Sequence, residues 1–193
     1  MRPVTNVIKQ SVAGLRAMLV LTVLLGALYP AAVWGVGQVV ARDQAAGSLV
    51  SVDGTVVGSS LIGQQWQGDE WFHSRPSASD YAGDTSGGTN LGRGPELQAA
   101  VAERATAAGL AVDGAPADAV TASGSGMDPH ISPAYAAAQV DRVAAARGLD
   151  VAVLRQLVAR HTDDRVAGFL GEARVNVLEL NLALARLAAP SAD

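Results

Sequence analysis

Residues 17–41 read AMLVLTVLLGALYPAAVWGVGQVVA, with no charged side chain anywhere in the stretch. As a helix rising ~1.5 Å per residue it is about 37 Å long, more than the ~30 Å hydrocarbon core of a bilayer, so it predicts one tilted membrane-spanning helix. The flanks set a direction. Arg2, Lys9 and Arg16 precede the stretch with no acid among them, whereas Arg42 and Asp43 follow it and cancel. The positive-inside tendency then predicts a cytoplasmic N-terminal segment (1–16), a transmembrane helix (17–41) and an extracytoplasmic domain (42–193) in the cell membrane. The rival is a signal peptide cleaved after Val39-Val40-Ala41, but such apolar cores run only ~7–15 residues, so a retained anchor fits better. Within the span Ala27, Ala31 and Gly35 recur every four residues and mark a face that another helix can approach closely. Pro30 removes a backbone donor and predicts a kink, and Tyr29, near mid-span, is expected to face protein.

Composition closes several functional classes. The 193 residues contain no Cys, which excludes disulfide frameworks, thiolate zinc sites, iron–sulfur clusters and thiol nucleophiles. Fourteen basic against eighteen acidic side chains offer no general attraction to phosphate backbones, so no nucleic-acid partner is expected. All eighteen acids and eleven Arg fall after residue 41, giving that part a formal charge of −7 with His neutral. Anionic headgroups should repel it.

The extramembrane part reads as α+β with helix predominating. Short apolar runs punctuated by Gly54 and Gly58 predict one or two short strands between Ser48 and Gly63. Residues 64–94 are rich in Gly, Ser and Asp but carry Trp66, Trp71, Phe72 and Tyr81, the mark of a packed functional loop. Helices are expected from Pro95 to Gly109, from Ser132-Pro133 to Gly148, and from an Asp150 cap onward. In the last of these Leu154, Leu157, Val158 and His161 form one stripe at i, i+3, i+4 and i+7. Val175-Asn176-Val177 alternates like a strand, and Leu178–Leu187 predicts a final helix.

Few residues invite chemistry. Ser86-Gly87-Gly88-Thr89-Asn90 and Ser123-Gly124-Ser125-Gly126 are small-residue loops whose amides can nest an anion, yet no Lys follows the glycines as a phosphate loop requires. Turn formation is the stronger reading. Ser125 near Asp128-Pro129-His130 suggests a hydrolase, but no G-x-S-x-G elbow surrounds it. His73, His130 and His161 have no zinc-ligand spacing, so no metal is expected. Arg75, beside Trp71-Phe72-His73, suits either a recognition group or an internal clamp on a carboxylate.

Taken in order, Leu61-Ile62-Gly63-Gln64, Trp71-Phe72-His73-Ser74-Arg75-Pro76-Ser77 and Ser86 to Gly92 resemble the C subunit of Kdp-type potassium-transporting ATPases (KdpC). So do the run from Thr121 to Pro133, which carries most of the specificity, and His161-Thr162 and Gly171 to Leu178. Thr89, Met127 and Ala173 stand where that family's pattern has Ser, Leu and Pro. The resemblance implies a single N-terminal transmembrane helix followed by one helix-rich extracytoplasmic α+β domain. It implies a non-catalytic subunit of an ATP-driven, high-affinity potassium import pump. Its partners would be a channel-like potassium-translocating subunit, an ATP-hydrolysing P-type subunit and a small accessory subunit. The family is described as a catalytic chaperone that raises ATP affinity. Ser86, Gly87, Gly88 and Asn90 are the candidates for a nucleotide effect, with no tightly bound cofactor and ATP met only in the complex. Partner-interface candidates are Ala27, Ala31, Gly35, Phe72, Arg75, Asp128 and His130, with the loops around 71–92 and 121–133 docking on the channel-like subunit. The alternative is an anchored extracytoplasmic hydrolase using Ser125 or His130.

Overall fold

The computed structural model describes residues 2–188. Contacts divide the chain into two compact units, Met1–Leu49 and Val50–Asp193.

In the first unit helix α1 (Arg2–Val23) runs into a π-helical turn (Leu24–Leu28), then α2 (Tyr29–Val40) and a short α3 (Arg42–Ala45). The helical run therefore starts well before the apolar stretch, because no residue after Pro3, itself in the permissive first turn, breaks it. Asn6–Val40 is long and apolar enough to cross a membrane. The disturbance expected at Pro30 takes the form of the widened turn just before it, where the Tyr29 N–H bonds back to the Leu24 carbonyl, five residues earlier. Widening relieves the crowding of the proline ring against the preceding turn. Ala27 and Ala31 are exposed, and a Cβ at Gly35 would meet nothing within 4 Å.

A hairpin of β1 (Leu49–Val52) and β2 (Thr55–Ser59), turned at Asp53-Gly54, follows. A long non-repetitive stretch then leads to α4 (Pro95–Ala107), α5 (Ala117–Val120), β3 (His130–Ile131), α6 (Pro133–Arg147) and α7 (Val151–Arg160). β4 (Thr162–Asp163), β5 (Arg174–Asn176) and α8 (Val177–Ala188) complete the second unit. β5 lies between β3 and β4, antiparallel to both, with His130 opposite Asn176 and Thr162 opposite Val175.

Local chemistry fixes these boundaries. The Ser132 hydroxyl accepts from the Tyr135 N–H at 3.0 Å and itself donates to Asp118 at 2.8 Å, so α5 holds the cap of α6. Gly148, left-handed at φ +65°, ends that helix. Asp150 caps α7 through the Ala152 N–H at 2.6 Å. Leu154, Leu157 and Val158 are buried as the stripe predicts, while His161 closes the helix with Nδ1 2.9 Å from the Leu157 carbonyl. Asn176 ends a strand and begins a helix: its Oδ1 accepts from the Glu179 N–H. The core joins Val140 and Val143 of α6, Leu154 of α7, Val175, and Leu180 and Leu184 of α8, around Phe72 from the long loop. Full burial of each large aliphatic or aromatic side chain contributes about 1.5–3 kcal/mol.

Candidate functional site

The loop of residues 63–92 closes against the loop of residues 121–132, and each uses the other as its hydrogen-bonding surface. The Gly63 N–H donates to the Met127 carbonyl at 2.9 Å, the Ser123 N–H to Pro76 at 2.8 Å, and the Gly87 N–H to Ser125 at 2.8 Å. Side chains complete the clasp. Ser77 and Ser79 hydroxyls donate to the Gly126 carbonyl at 2.6 and 3.2 Å, and the Ser86 hydroxyl donates to Ser125 at 3.1 Å. Gly63 has no alternative: a Cβ there would stand 2.5 Å from the Asp128 carbonyl oxygen.

Arg75 sits at the centre as an internal clamp. Its guanidinium is 3.0 Å from Asp128 Oδ2 and reaches the Thr121 and Ala122 carbonyls at 3.4 Å. Asp128 also accepts from the His130 N–H at 3.0 Å, with the His130 ring Nδ1 at 3.7 Å. Burial opposes charge on this carboxyl, but His130 and Arg75 outweigh it and hold it down to about 2. Tyr81 donates to the Arg75 carbonyl at 2.7 Å, and burial pushes its phenol up to about 12.

A second strap ties residues 68–73 to α6. Arg142 donates to the Asp69 carbonyl at 2.7 Å and to Trp71 at 3.0 Å, and Arg147 donates to Glu70 at 2.6 Å while lying over the Trp71 ring. Gln139 accepts from the His73 N–H at 2.7 Å and donates back to its carbonyl at 3.1 Å. Beneath them the fully buried Asn181 does the same for Phe72, at 2.9 Å in each direction. Burial lowers the His73 imidazole below the usual histidine range, and Nε2 donates to Gly68 at 2.8 Å.

These contacts reassign the candidates. Phe72 is 0% exposed and anchors the core, so its ring presents no surface to a partner. Arg75 and Asp128 are half-buried and bond each other. Ser125 and His130 share no hydrogen bond: the Ser125 hydroxyl lies 3.1 Å from Ser123 Oγ and accepts from the Met127 N–H, while His130 turns to Asp128. Of the nucleotide candidates, Ser86 and Gly87 are engaged with Ser125, Gly88 packs 3.1 Å (ideal Cβ) from the Gly124 carbonyl, and Asn90 turns the chain at φ +52°. The Ser-Gly-Gly loop is thus a surface turn tied to Ser125 through Ser86 and Gly87, with Asn90 exposed. Among the described residues no group of His, Cys, Asp or Glu is arranged to hold a metal ion.

Beside the clamp a cleft of about 370 Å³ is lined by Trp66, His73, Arg75, Tyr81, Arg104 and Tyr135. Arg104 donates to the Val120 carbonyl at 3.1 Å, so it too braces a loop. Gln139, Arg142, Arg147 and Asn181 were not singled out by the sequence, because helix residues that grip a distant loop carry no local signature.

A family model described as "K+-transporting ATPase, c chain" (KdpC) matches residues 11–186. The "Potassium-transporting ATPase KdpC subunit" of Kineococcus radiotolerans is 53% identical over 96% of this chain and 97% of its own length. Proteins of the same description are 50% identical in Cereibacter sphaeroides, over 88% of this chain and 93% of theirs. In Mycobacterium tuberculosis the figure is 50% over 93% and 99%.

Proposed function

Because the chain belongs to the KdpC family, the c chain of K+-transporting ATPases, we propose that it is a non-catalytic subunit of an ATP-driven, high-affinity potassium import pump, which it assembles, stabilises and modulates. Its partners in this reading are the channel-like potassium-translocating subunit, the ATP-hydrolysing P-type subunit and a small accessory subunit. The observation that carries the non-catalytic role is the closure of the two Ser-Gly loops on each other. The Gly87 and Ser123 amides and the Ser86, Ser123 and Ser125 hydroxyls, groups an oxyanion or a phosphate would need, are bonded within the protein. What such a unit offers a partner is a rigid shape.

The basic N-terminal flank supports an N-terminus in the cytoplasm and a second unit outside it. ATP lies on the opposite side in that arrangement. Any effect on ATP affinity is then indirect, arising when the subunit contacts one conformation of the pump more strongly than another. Ser86, Gly87, Gly88 and Asn90 act in this reading as a structural turn, without direct nucleotide contact.

Copurification tests the reading. The full chain, expressed with its companion subunits and extracted from membranes, should bring down the translocating and ATP-hydrolysing chains, and removing it should raise the ATP concentration at which the pump half-saturates. Recovery of the chain alone would overturn the role. Protease added to sealed cells should digest residues beyond 42; their protection would overturn the orientation.

A further inference from the structure

One segment of the second unit points all its large side chains away from the protein. Between β4 and β5, Val166, Phe169 and Leu170 are 67%, 72% and 55% exposed, and residues 163–170 are exposed without interruption. The segment is nevertheless a built turn. The Val166 N–H donates to Leu170 at 2.9 Å and the Leu170 N–H returns to Val166 at 3.0 Å, while the Gly168 N–H donates to Arg165 at 3.0 Å. Ala167 and Gly168 take positive φ, +54° and +80°. Its base is pinned by β4 and β5, paired Thr162 to Val175 and Asp163 to Arg174. Thr162 and Asp164 also line an apolar groove of about 360 Å³ between α6 and α7, floored by Val140 and Val158. A preorganised finger thus shares its root with a groove.

We propose that this finger, with Phe169 as its anchor, inserts into an apolar socket on an extramembrane loop of another pump subunit, with the adjoining groove receiving a side chain from that loop; this rests on the subunit role proposed above. Charge selects protein over lipid. Around the finger Asp163 pairs with Arg174 at 3.7 Å, leaving Asp164 and Glu172 against Arg165, while Arg155, which lines the groove with Asp164, lies 3.8 Å from Asp141. A lipid-inserting loop is expected to carry basic flanks, and this rim is slightly acidic on a unit whose formal charge is already negative. A socket with a neutral or basic rim complements it. Area argues against a free pair of identical chains. Three such side chains bury roughly 350 Å² a side, well under the ~800 Å² of a self-sufficient interface, but enough for one anchored contact in an assembly held elsewhere as well.

The test places a photoreactive benzoylphenylalanine at position 169 of the full chain in the assembled pump. A crosslink to another pump subunit is expected; a crosslink only to lipid or to a second copy of this chain, or none at all, overturns the proposal. In parallel, Phe169→Asp should lower the amount of chain retained with the other subunits after detergent extraction at least tenfold, with its thermal midpoint unchanged. If that variant fails to fold, the double variant Val166→Ala, Phe169→Ala should give a loss in the same direction. Full retention of a folded variant overturns the finger alone, whereas failure of the unsubstituted chain to copurify overturns the subunit role and the finger together.

Discussion

The clasped loops and the apolar finger are both irregular segments of the same unit, yet they are built on opposite principles. In the clasp, polar side chains and amides turn inward: Arg75, Asp128, Ser77 and the Gly87 N–H all find partners within the chain. In the finger the backbone satisfies itself and the side chains turn out. The contrast teaches that a dense set of suggestive polar residues can serve to hold two loops together, while three hydrophobic residues that suggest no chemistry are the ones left facing outward. Substitutions should therefore divide sharply into those that unfold the unit and those that leave it folded but solitary.

The largest effect is expected beneath the clasp. Asn181→Leu removes both partners of the Phe72 backbone in a fully buried place, and each orphaned group costs about 1–3 kcal/mol, so denaturant unfolding should report a loss of about 3 kcal/mol. A loss below 1 kcal/mol would mean that Phe72 is not held as described. Next comes Arg75→Met, which leaves the half-buried Asp128 without its clamp and two carbonyls with one donor fewer. About 2 kcal/mol should disappear, reduced from the value for a fully buried pair because both side chains touch solvent.

The same carboxylate gives the contrast a pH dependence. Asp128 titrates from an ordinary 3.8 when unfolded to about 2 when folded, so the unfolded chain binds the proton more readily. Its stabilising contribution is complete above 3.8 and is lost as pH falls through about 2. Unfolding followed across pH 5 to 2 should show this loss in the parent and a flatter profile in Asp128→Asn; parallel profiles would remove Asp128 from the account. The smallest effect belongs to the finger. Phe169→Asp should shift stability by no more than about 0.5 kcal/mol, since the side chain leaves solvent for nothing within the chain. A loss of 2 kcal/mol would abolish the distinction between the two regions.

Much of the architecture was legible because it depends on local chemistry. The Pro95, Ser132-Pro133 and Asp150 starts, the Gly148 stop and the Leu154–Leu157–Val158 stripe lie within a few residues of the contacts they make. The reading of Arg75 as a clamp on a carboxylate was open in the sequence, and the fold supplied the carboxylate. Phe72 was misplaced at an interface because an aromatic in a Gly- and Ser-rich loop looks the same whether it faces a partner or a core. Two-residue strands such as β3 and β4 leave no periodicity to find, and the segment between β4 and β5 carries no local pattern that marks it as exposed.

By itself the sequence determined the apolar helix and the order and starts of the helices at Pro95, Pro133 and Val151, since each follows from residues close together along the chain, and the family, through its motifs. Only the tertiary structure decided that the two Ser-Gly loops close on each other, that Asn181 holds Phe72 from 109 residues away, and that Val166, Phe169 and Leu170 face outward. Those facts depend on which distant backbone groups meet and which side chains are left without neighbours, and no local pattern encodes either.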